Sequence, residues 1–322
     1  MDEFETHVYA IGMRNGFRGI TVREGLLLKG PAGWGEFCPF EEYGAAESAP
    51  WLACAREAAA GDWPEPVRDR VPINCTVPSV PAEQAYEIAA GSGCRTAKVK
   101  VADARSSLPQ DCERVAAVRD ALGASAAIRV DANAAWSVQQ AVAAIGELER
   151  AAAGLEYVEQ PCRTLEELAQ VRRKVDVRIA ADESIRRAED PLRVKISGAA
   201  DVAVLKVAPL GGVRSALRVA QACGLPCVVS SAVETSVGLA AGLALAGALP
   251  ELDFACGLGT ASLLEGDLVH SPFSAMEGEL PVPRRPPEPA PELLEQHAAD
   301  EPVRRRWLAR LYEVADSYPL QP

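Results

Sequence analysis

Five short apolar runs each close on ionisable residues, in the order lysine, aspartate, glutamate, aspartate, lysine. They are Lys98-Val99-Lys100, Asp131-Ala132-Asn133, Glu159-Gln160-Pro161, Asp182-Glu183-Ser184 and the run ending at Lys206. A charge set in an apolar run needs compensation once it is buried. Three carboxylates from three successive runs would repel one another without a cation between them. An all-oxygen set suits a hard divalent ion, Mg²⁺ first and Mn²⁺ as the alternative. Asp131, Glu159 and Asp182 are therefore the expected metal ligands. Lys98 and Lys100 stand two residues apart, which on a strand turns both to one side, and Lys206 lies across the carboxylates from them. Ammonium groups crowded beside a cation in a desolvated space are expected to have depressed pKa values, as a lysine base near neutral pH requires. A substrate carboxylate would complete the coordination, and the enediolate left by proton loss would be stabilised there.

Taken singly, each of these residues has a plainer role. A carboxylate at a strand end serves equally as a helix cap, and Asp182 or Glu183 could cap a helix opening near Ile185. Lys98 or Lys206 alone reads as a surface lysine at a strand end. The joint pattern on five successive runs is what argues for a site. His7, His270 and His297 lie in unrelated segments and read as structural or surface residues. The nine cysteines form no C-x-x-C pair, and the nearest two, Cys223 and Cys227, flank a Gly-Leu-Pro turn. That usage fits packed, reduced thiols in a cytoplasm and not a disulfide framework.

The elements that must position these residues follow from the pattern. Short β-branched runs occur at Ile73–Val77, Thr96–Val101, Ala127–Asp131, Tyr157–Gln160, Arg178–Ala181, Val202–Val207, Cys227–Ser231 and Phe254–Gly257, with alanine-rich amphipathic stretches between them. Eight such runs spaced by roughly 22 to 32 residues predict an α/β fold, a (β/α) TIM-type barrel, whose active site lies at the C-terminal ends of the strands. A doubly wound open sheet is the alternative, but no G-x-G-x-x-G follows the first run. The first 71 residues differ. Strands are expected at Gly25–Lys29 and Gly33–Phe37 around a Gly-Pro-Ala-Gly turn, followed by a helix from Ala45 to Ala60 closed by Pro64 and Pro66. The expected division is a small α+β capping domain at 1–71, the barrel at 72–281, and a C-terminal segment at 282–322 with a helix near Val303–Ala315 that packs back on the cap.

With 322 residues and 48 % hydrophobic content, the chain is long enough for a barrel and a companion. The net charge of −12 argues against nucleic acid, which calls for clustered lysine and arginine. Arg304-Arg305-Arg306 sits among acidic neighbours and reads as a solvated helix face. The acidic start, Met1-Asp2-Glu3-Phe4, lacks the apolar core of a secretory signal. The longest apolar stretch, Val237–Leu249, is too short to span a bilayer. A cytoplasmic enzyme acting on a small-molecule carboxylate is the expectation, with no membrane or nucleic-acid partner and no signal on self-association.

These motifs together resemble the muconate-lactonising-enzyme subgroup of the enolase superfamily. Ser230-Ser231-Ala232-Val233-Glu234-Thr235-Ser236-Val237-Gly238 and Ala255-Cys256-Gly257-Leu258-Gly259-Thr260 are similar to the o-succinylbenzoate synthase branch in its actinobacterial form. So are Arg14-Asn15-Gly16-Phe17-Arg18-Gly19 and Gly33-Trp34-Gly35-Glu36. The resemblance spans nearly the whole chain. It implies a syn dehydration in which Lys100 takes the proton next to the ring carboxylate and then helps hydroxide leave as water. It implies that Lys206 stabilises the enediolate by charge and cation–π attraction. Lys98 would hold the carboxylate and set the charge state of Lys100. Asn133 would stand beside the metal, Ser230, Ser231 and Gly257 would meet the succinyl end, and Arg14 to Gly19 would form a mobile loop over the barrel mouth.

The strongest rival is a racemase or epimerase of N-acyl amino acids or dipeptides, because two lysines on opposite faces also suit 1,1-proton transfer. A dipeptide epimerase is expected to carry Asp-x-Asp on the eighth run, and Ala255–Thr260 has no acid. A Schiff-base aldolase using Lys206 leaves the three carboxylates unexplained. A non-catalytic scaffold barrel leaves the whole set unexplained.

Overall fold

The computed structural model describes residues 5–17, 19–186, 194 and 198–318. The chain begins with an antiparallel sheet of β1 (Glu5–Phe17), β2 (Ile20–Gly30) and β3 (Gly33–Phe37) in that order. β3 matches the expected strand, β2 contains the expected Gly25–Lys29 but starts five residues earlier, and β1 is an addition to them. Both faces of β1 are covered: Val8 joins the main core, while Tyr9, Ile11 and Met13 join a second, smaller one with Trp34, Val233 and Val237. Phe17 pairs with Ile20, so the described part of the expected Arg14–Gly19 loop is the end of a hairpin, and Arg18 lies outside the described residues.

Helix α1 (Ala45–Ala60) has the expected bounds. It is closed by Gly61 and not by the later prolines: Gly61 adopts φ 73°, and its N–H returns to the carbonyls of Glu57 and Ala58, an ending that favours glycine. The helix lies hard against β3. A Cβ on Gly35 would come within 1.8 Å of the Ala55 carbonyl oxygen, a backbone atom that cannot swing aside. Gly35→Ala is expected to destabilise the protein by about 3 kcal/mol or more, the upper end for overpacking. Thermal unfolding checks this; an unchanged midpoint would show that α1 can move off the sheet.

Strand β4 (Arg70–Pro72) leads into β5 (Cys75–Val77), and the alternation that follows is regular. It comprises α2 (Ala82–Gly91), β6 (Thr96–Lys100), α3 (Leu108–Leu122), β7 (Ala127–Asp131), α4 (Val138–Ala152), β8 (Tyr157–Glu159) and α5 (Leu165–Arg172). Then come β9 (Ile179–Ala181), α6 (Glu183–Arg186), β10 (Val202–Lys206), α7 (Val213–Cys223), β11 (Cys227–Ser230) and α8 (Ser236–Ala248). Three of these helices start on one local device. Ser107, Ser137 and Thr164 cap α3, α4 and α5, and Gln110, Gln140 and Glu167 reach back to the cap N–H. Two otherwise orphaned donors are thereby satisfied at each start.

The strands form a parallel sheet in the order β11-β10-β9-β8-β7-β6-β5. The eighth expected run, Phe254–Gly257, is not a full strand. Its Cys256 bridges Ile73 on one edge and its Gly257 bridges Ser230 on the other. Asn74 N–H donates to the Cys256 carbonyl (2.9 Å) and Gly257 N–H to the Val229 carbonyl (2.8 Å), so the ring still closes. The Ala255 carbonyl is taken by the Arg129 guanidinium (2.6 Å) instead of a ladder N–H. Arg129 is fully buried, under Tyr157 at 4.7 Å, and ion-paired to Glu156.

Beyond the barrel, β12 (Glu279–Pro281) pairs antiparallel with β4. Helices α9 (Pro291–Gln296) and α10 (Glu301–Ser317) follow. The last packs on β3, on the segment after it and on α1: Trp307 meets Phe37 edge-on at 6.1 Å, and Arg310 donates to the carbonyls of Pro39, Phe40 and Tyr43 and to Ser48 Oγ of α1 (3.0 Å). The apolar stretch noted in the sequence is α8, buried in the core. Among the described residues no helix is long and apolar enough to cross a membrane. All nine cysteines are free thiols, and all but Cys112 are buried.

Candidate active site

Register gathers the lysines and carboxylates. Lys100 pairs with Asp131 across β6 and β7, and Asp131 pairs with Glu159 across β7 and β8, so these three occupy one rung. On the far side Lys206 pairs with Ser230, which bridges Gly257. Asp182 follows the last residue of β9 between the two groups. All lie at the C-terminal strand ends, as the barrel fold requires of an active site.

The backbone there is held under strain. Ala102, Asn133, Ala134, Gln160 and Val233, each just beyond a barrel strand, adopt positive φ between 38° and 65°. Such conformations cost about 1–3 kcal/mol each outside glycine and concentrate where side-chain direction matters.

Charge pairing is dense. Lys98 Nζ donates to Glu159 Oε1 at 2.9 Å and lies 3.3 Å from Asp131 Oδ2. Lys100 Nζ donates to Asp131 Oδ2 (2.6 Å) and Asn133 Oδ1 (2.7 Å). Lys206 Nζ donates to Asp182 Oδ2 at 2.5 Å. Asp131, Glu159 and Asp182 are 1 %, 1 % and 0 % exposed. Burial lowers the Lys100 pKa, with Asp131 only partly opposing and Lys98 adding to the fall. For Lys98 the balance among the protein groups alone goes the other way. Burial would lower Lys98, but Glu159 and Asp131 outweigh it and raise the pKa. Burial and the neighbouring Asp131 push Glu159 up to about 7 against the pull of Lys98. Burial would raise Asp131 too, but Lys100 and Lys98 hold it well below the usual carboxylate range. The two lysines on one strand are thus differentiated, Lys98 as a fixed cation and Lys100 as the group nearer to giving up its proton.

Among the described residues, no three acidic, histidine or cysteine side chains are drawn together tightly enough to bind an ion as they stand. Each of the three carboxylates turns one oxygen to a lysine. The donor set still fits a hard cation. It is all oxygen, it comes from successive strand ends, and Glu159 Oε2 is buried with no hydrogen-bond partner. A buried carboxylate oxygen left in that state is costly and suits a cation.

Lys98, Lys100, Asn133, Lys206, Ser230, Ser231 and Gly257 line one cavity of about 20 Å³. An adjacent cavity of about 340 Å³ shares Lys100 and Asn133 and reaches Gly16. Arg14 is not brought to the lysines; it is exposed and lines a separate groove with Asn74, Ser92 and Glu265. Ser231 reaches the cavity, but its hydroxyl is engaged. It donates to Glu234 Oε2 (2.6 Å), accepts from Val233 N–H (2.7 Å) and lies 2.7 Å from Thr260 Oγ1. A Cβ on Gly257 would lie 2.7 Å from Ser230 Oγ, so only glycine leaves that hydroxyl its place. Sequence reasoning missed Phe40, Thr76, Ala232 and Thr260, which complete the lining. Phe40 comes from the segment after β3, and no local pattern announces that it reaches the barrel.

The fold and this constellation define a metal-dependent barrel enzyme of enolase type. The Enolase C-terminal domain-like family matches residues 81–286, and the Enolase N-terminal domain-like family matches residues 8–59. The chain is 63 % identical to the o-succinylbenzoate synthase of Thermobifida fusca over 276 residues, 86 % of each chain. It is 55 % identical to the o-succinylbenzoate synthase of Mycolicibacterium smegmatis over 306 residues, covering 95 % of this chain and 93 % of the relative. The N-succinyl Arg/Lys racemase of Bacillus cereus superposes with a TM-score of 0.78 at 20 % identity, covering 92 % of this chain and 98 % of that one; this likeness concerns the fold alone. The chain belongs to the o-succinylbenzoate synthase family of the enolase superfamily, metal-dependent carbon–oxygen lyases.

Proposed function

We propose that the cavity between Lys100 and Lys206 performs the syn dehydration of 2-succinyl-6-hydroxy-2,4-cyclohexadiene-1-carboxylate to o-succinylbenzoate, a step of menaquinone biosynthesis. The observation that carries this reading is the pair of lysines from β6 and β10 facing one cavity above three buried carboxylates. Asp131, Glu159 and Asp182 would hold Mg²⁺, or Mn²⁺ in its place. The ion supplies positive charge for the substrate carboxylate and for the negative charge that develops beside it. Lys100, as the neutral amine favoured by burial, takes the proton from the carbon bearing the carboxylate. The C–H electron pair enters the ring and the C–O bond at the hydroxyl-bearing carbon breaks. The proton on Lys100 then leaves with the hydroxide as water, and the ring becomes aromatic. Lys206 stays charged on the opposite face and stabilises the electron-rich ring. Lys98 remains an ammonium, fixes Glu159 and keeps Lys100 from re-protonating early. Asn133 orients the Lys100 amine, and Ser230 and Gly257 leave room for the succinyl end. The proposed division into a cap at 1–71, the barrel at 72–281 and a returning tail at 282–322 is supported by the pairing of β4 with β12 at those two limits.

The test is turnover of the cyclohexadiene in the presence of a chelator. Activity is expected to vanish and to return with added Mg²⁺; full activity in excess chelator would overturn the metal-dependent mechanism.

A further inference from the structure

We propose that Arg23 is a positioning residue for the substrate cavity. It is a buried guanidinium of the N-terminal sheet that fixes the two stretches of chain forming walls of that cavity, one from each part of the molecule. The proposal rests on the cavity between Lys100 and Lys206 being the substrate site.

Arg23 lies on β2, 3 % exposed. Its hydrogen bonds go to main-chain carbonyls: Nε donates to Val233 (2.9 Å), and Nη2 donates to Cys38 (2.5 Å) and, more weakly, to Ala232 (3.3 Å). The Phe40 ring stands over the guanidinium with its centroid 4.9 Å away. One planar group therefore touches the segment that carries Phe40 and the turn that carries Ala232. Phe40 and Ala232 line the same small cavity as the three lysines. An arginine can do this because its donors are set in a rigid fork; a lysine presents one compact ammonium.

The turn that Arg23 holds cannot keep its shape unaided. Val233 has φ 65°, in a region where a β-branched residue is a true outlier. Its carbonyl is the one bound by Nε, and its N–H is bound by Ser231 Oγ. The turn is held from the same side by a second residue of the N-terminal sheet. Glu36 accepts from Thr235 N–H (3.1 Å), Thr235 Oγ1 (2.5 Å) and Gly238 N–H (2.8 Å) at the start of α8. The lysines take their ion pairs from elsewhere. They are anchored to Asp131, Glu159, Asp182 and Asn133 on other strand ends. Loosening Arg23 should therefore spoil the fit of substrate and leave the proton chemistry intact.

The experiment compares wild type, Arg23→Lys and Arg23→Ala in steady-state dehydration of the cyclohexadiene, each with a thermal unfolding curve. Arg23→Lys is expected to raise KM by about 10-fold or more, the worth of one charge-assisted hydrogen bond, with kcat within about threefold of wild type. Arg23→Ala is expected to show the larger KM, and millimolar guanidinium chloride should bring it back toward wild type. Should Arg23→Ala fail to fold, the KM of Arg23→Lys decides. A purely structural arginine would lower the unfolding midpoint and the fraction of active enzyme, which reduces apparent kcat and leaves KM alone. That result in Arg23→Lys overturns the proposal. A wild-type protein that does not dehydrate the cyclohexadiene would overturn the underlying reaction instead, so the two failures are distinct.

Discussion

Lys100→Ala is expected to abolish dehydration, with at least the factor of about 10²–10⁴ that a positioned general base contributes. The size of the effect follows from the surroundings of Lys100. Its amine lies 2.6 Å from Asp131 Oδ2 and 2.7 Å from Asn133 Oδ1, and burial lowers its pKa. Lys98, two residues away, cannot take over. It is held 2.9 Å from Glu159 and its pKa is raised, so it keeps its proton. Lys206 stands on the other face, which is wrong for a syn elimination. Folding should be largely spared, because Lys98 still lies 3.3 Å from Asp131 Oδ2 and keeps that buried carboxylate paired. The check is kcat for the purified variant beside its unfolding curve. A variant that keeps a tenth or more of wild-type turnover would remove Lys100 from the proton transfer.

The second large effect is expected from Glu159→Gln. The substitution keeps the shape and removes the charge from the middle of the carboxylate row. Groups that merely support a metal ligand cost about 10–100-fold in affinity when changed, and loss of a ligand's own charge should exceed that range. Divalent-cation affinity, measured calorimetrically, should fall by more than about 100-fold, and turnover at limiting Mg²⁺ should fall with it. The variant also leaves Lys98 facing a neutral amide. Turnover is therefore expected to recover incompletely at saturating Mg²⁺. Wild-type cation affinity in Glu159→Gln would take that residue out of the ligand set.

The site was legible because its residues obey short-range rules. The spacing of Lys98 and Lys100 and the charged strand ends are signals confined to a few residues. The bounds of α1 could be read for the same reason. Other features depend on distant contacts. Strand β1 carries Gly12 and Arg14 within a run whose two faces enter different cores, so no single alternation marks it. The eighth barrel segment looks like a strand, yet a side chain 126 residues earlier takes one of its carbonyls. Arg23 and Glu36 act on a turn about 200 residues away. Phe40 reaches the cavity only because the N-terminal sheet lies against the barrel mouth. The opposite shifts of the two neighbouring lysines were likewise hidden. They depend on which carboxylate each amine meets, which is a matter of register and not of composition.

Whether this lysine pair serves elimination or racemisation is decided by one measurement in deuterated solvent. The protein is supplied with Mg²⁺ and, in parallel, with the cyclohexadiene carboxylate or with each enantiomer of an N-succinyl amino acid. Aromatic product is followed by absorbance, and α-deuteration of the amino acids by NMR. Rapid formation of o-succinylbenzoate is expected, far faster than exchange into either enantiomer, with dehydration lost in Lys100→Ala. Rapid exchange into both enantiomers with negligible dehydration would contradict it and assign the two lysines to 1,1-proton transfer.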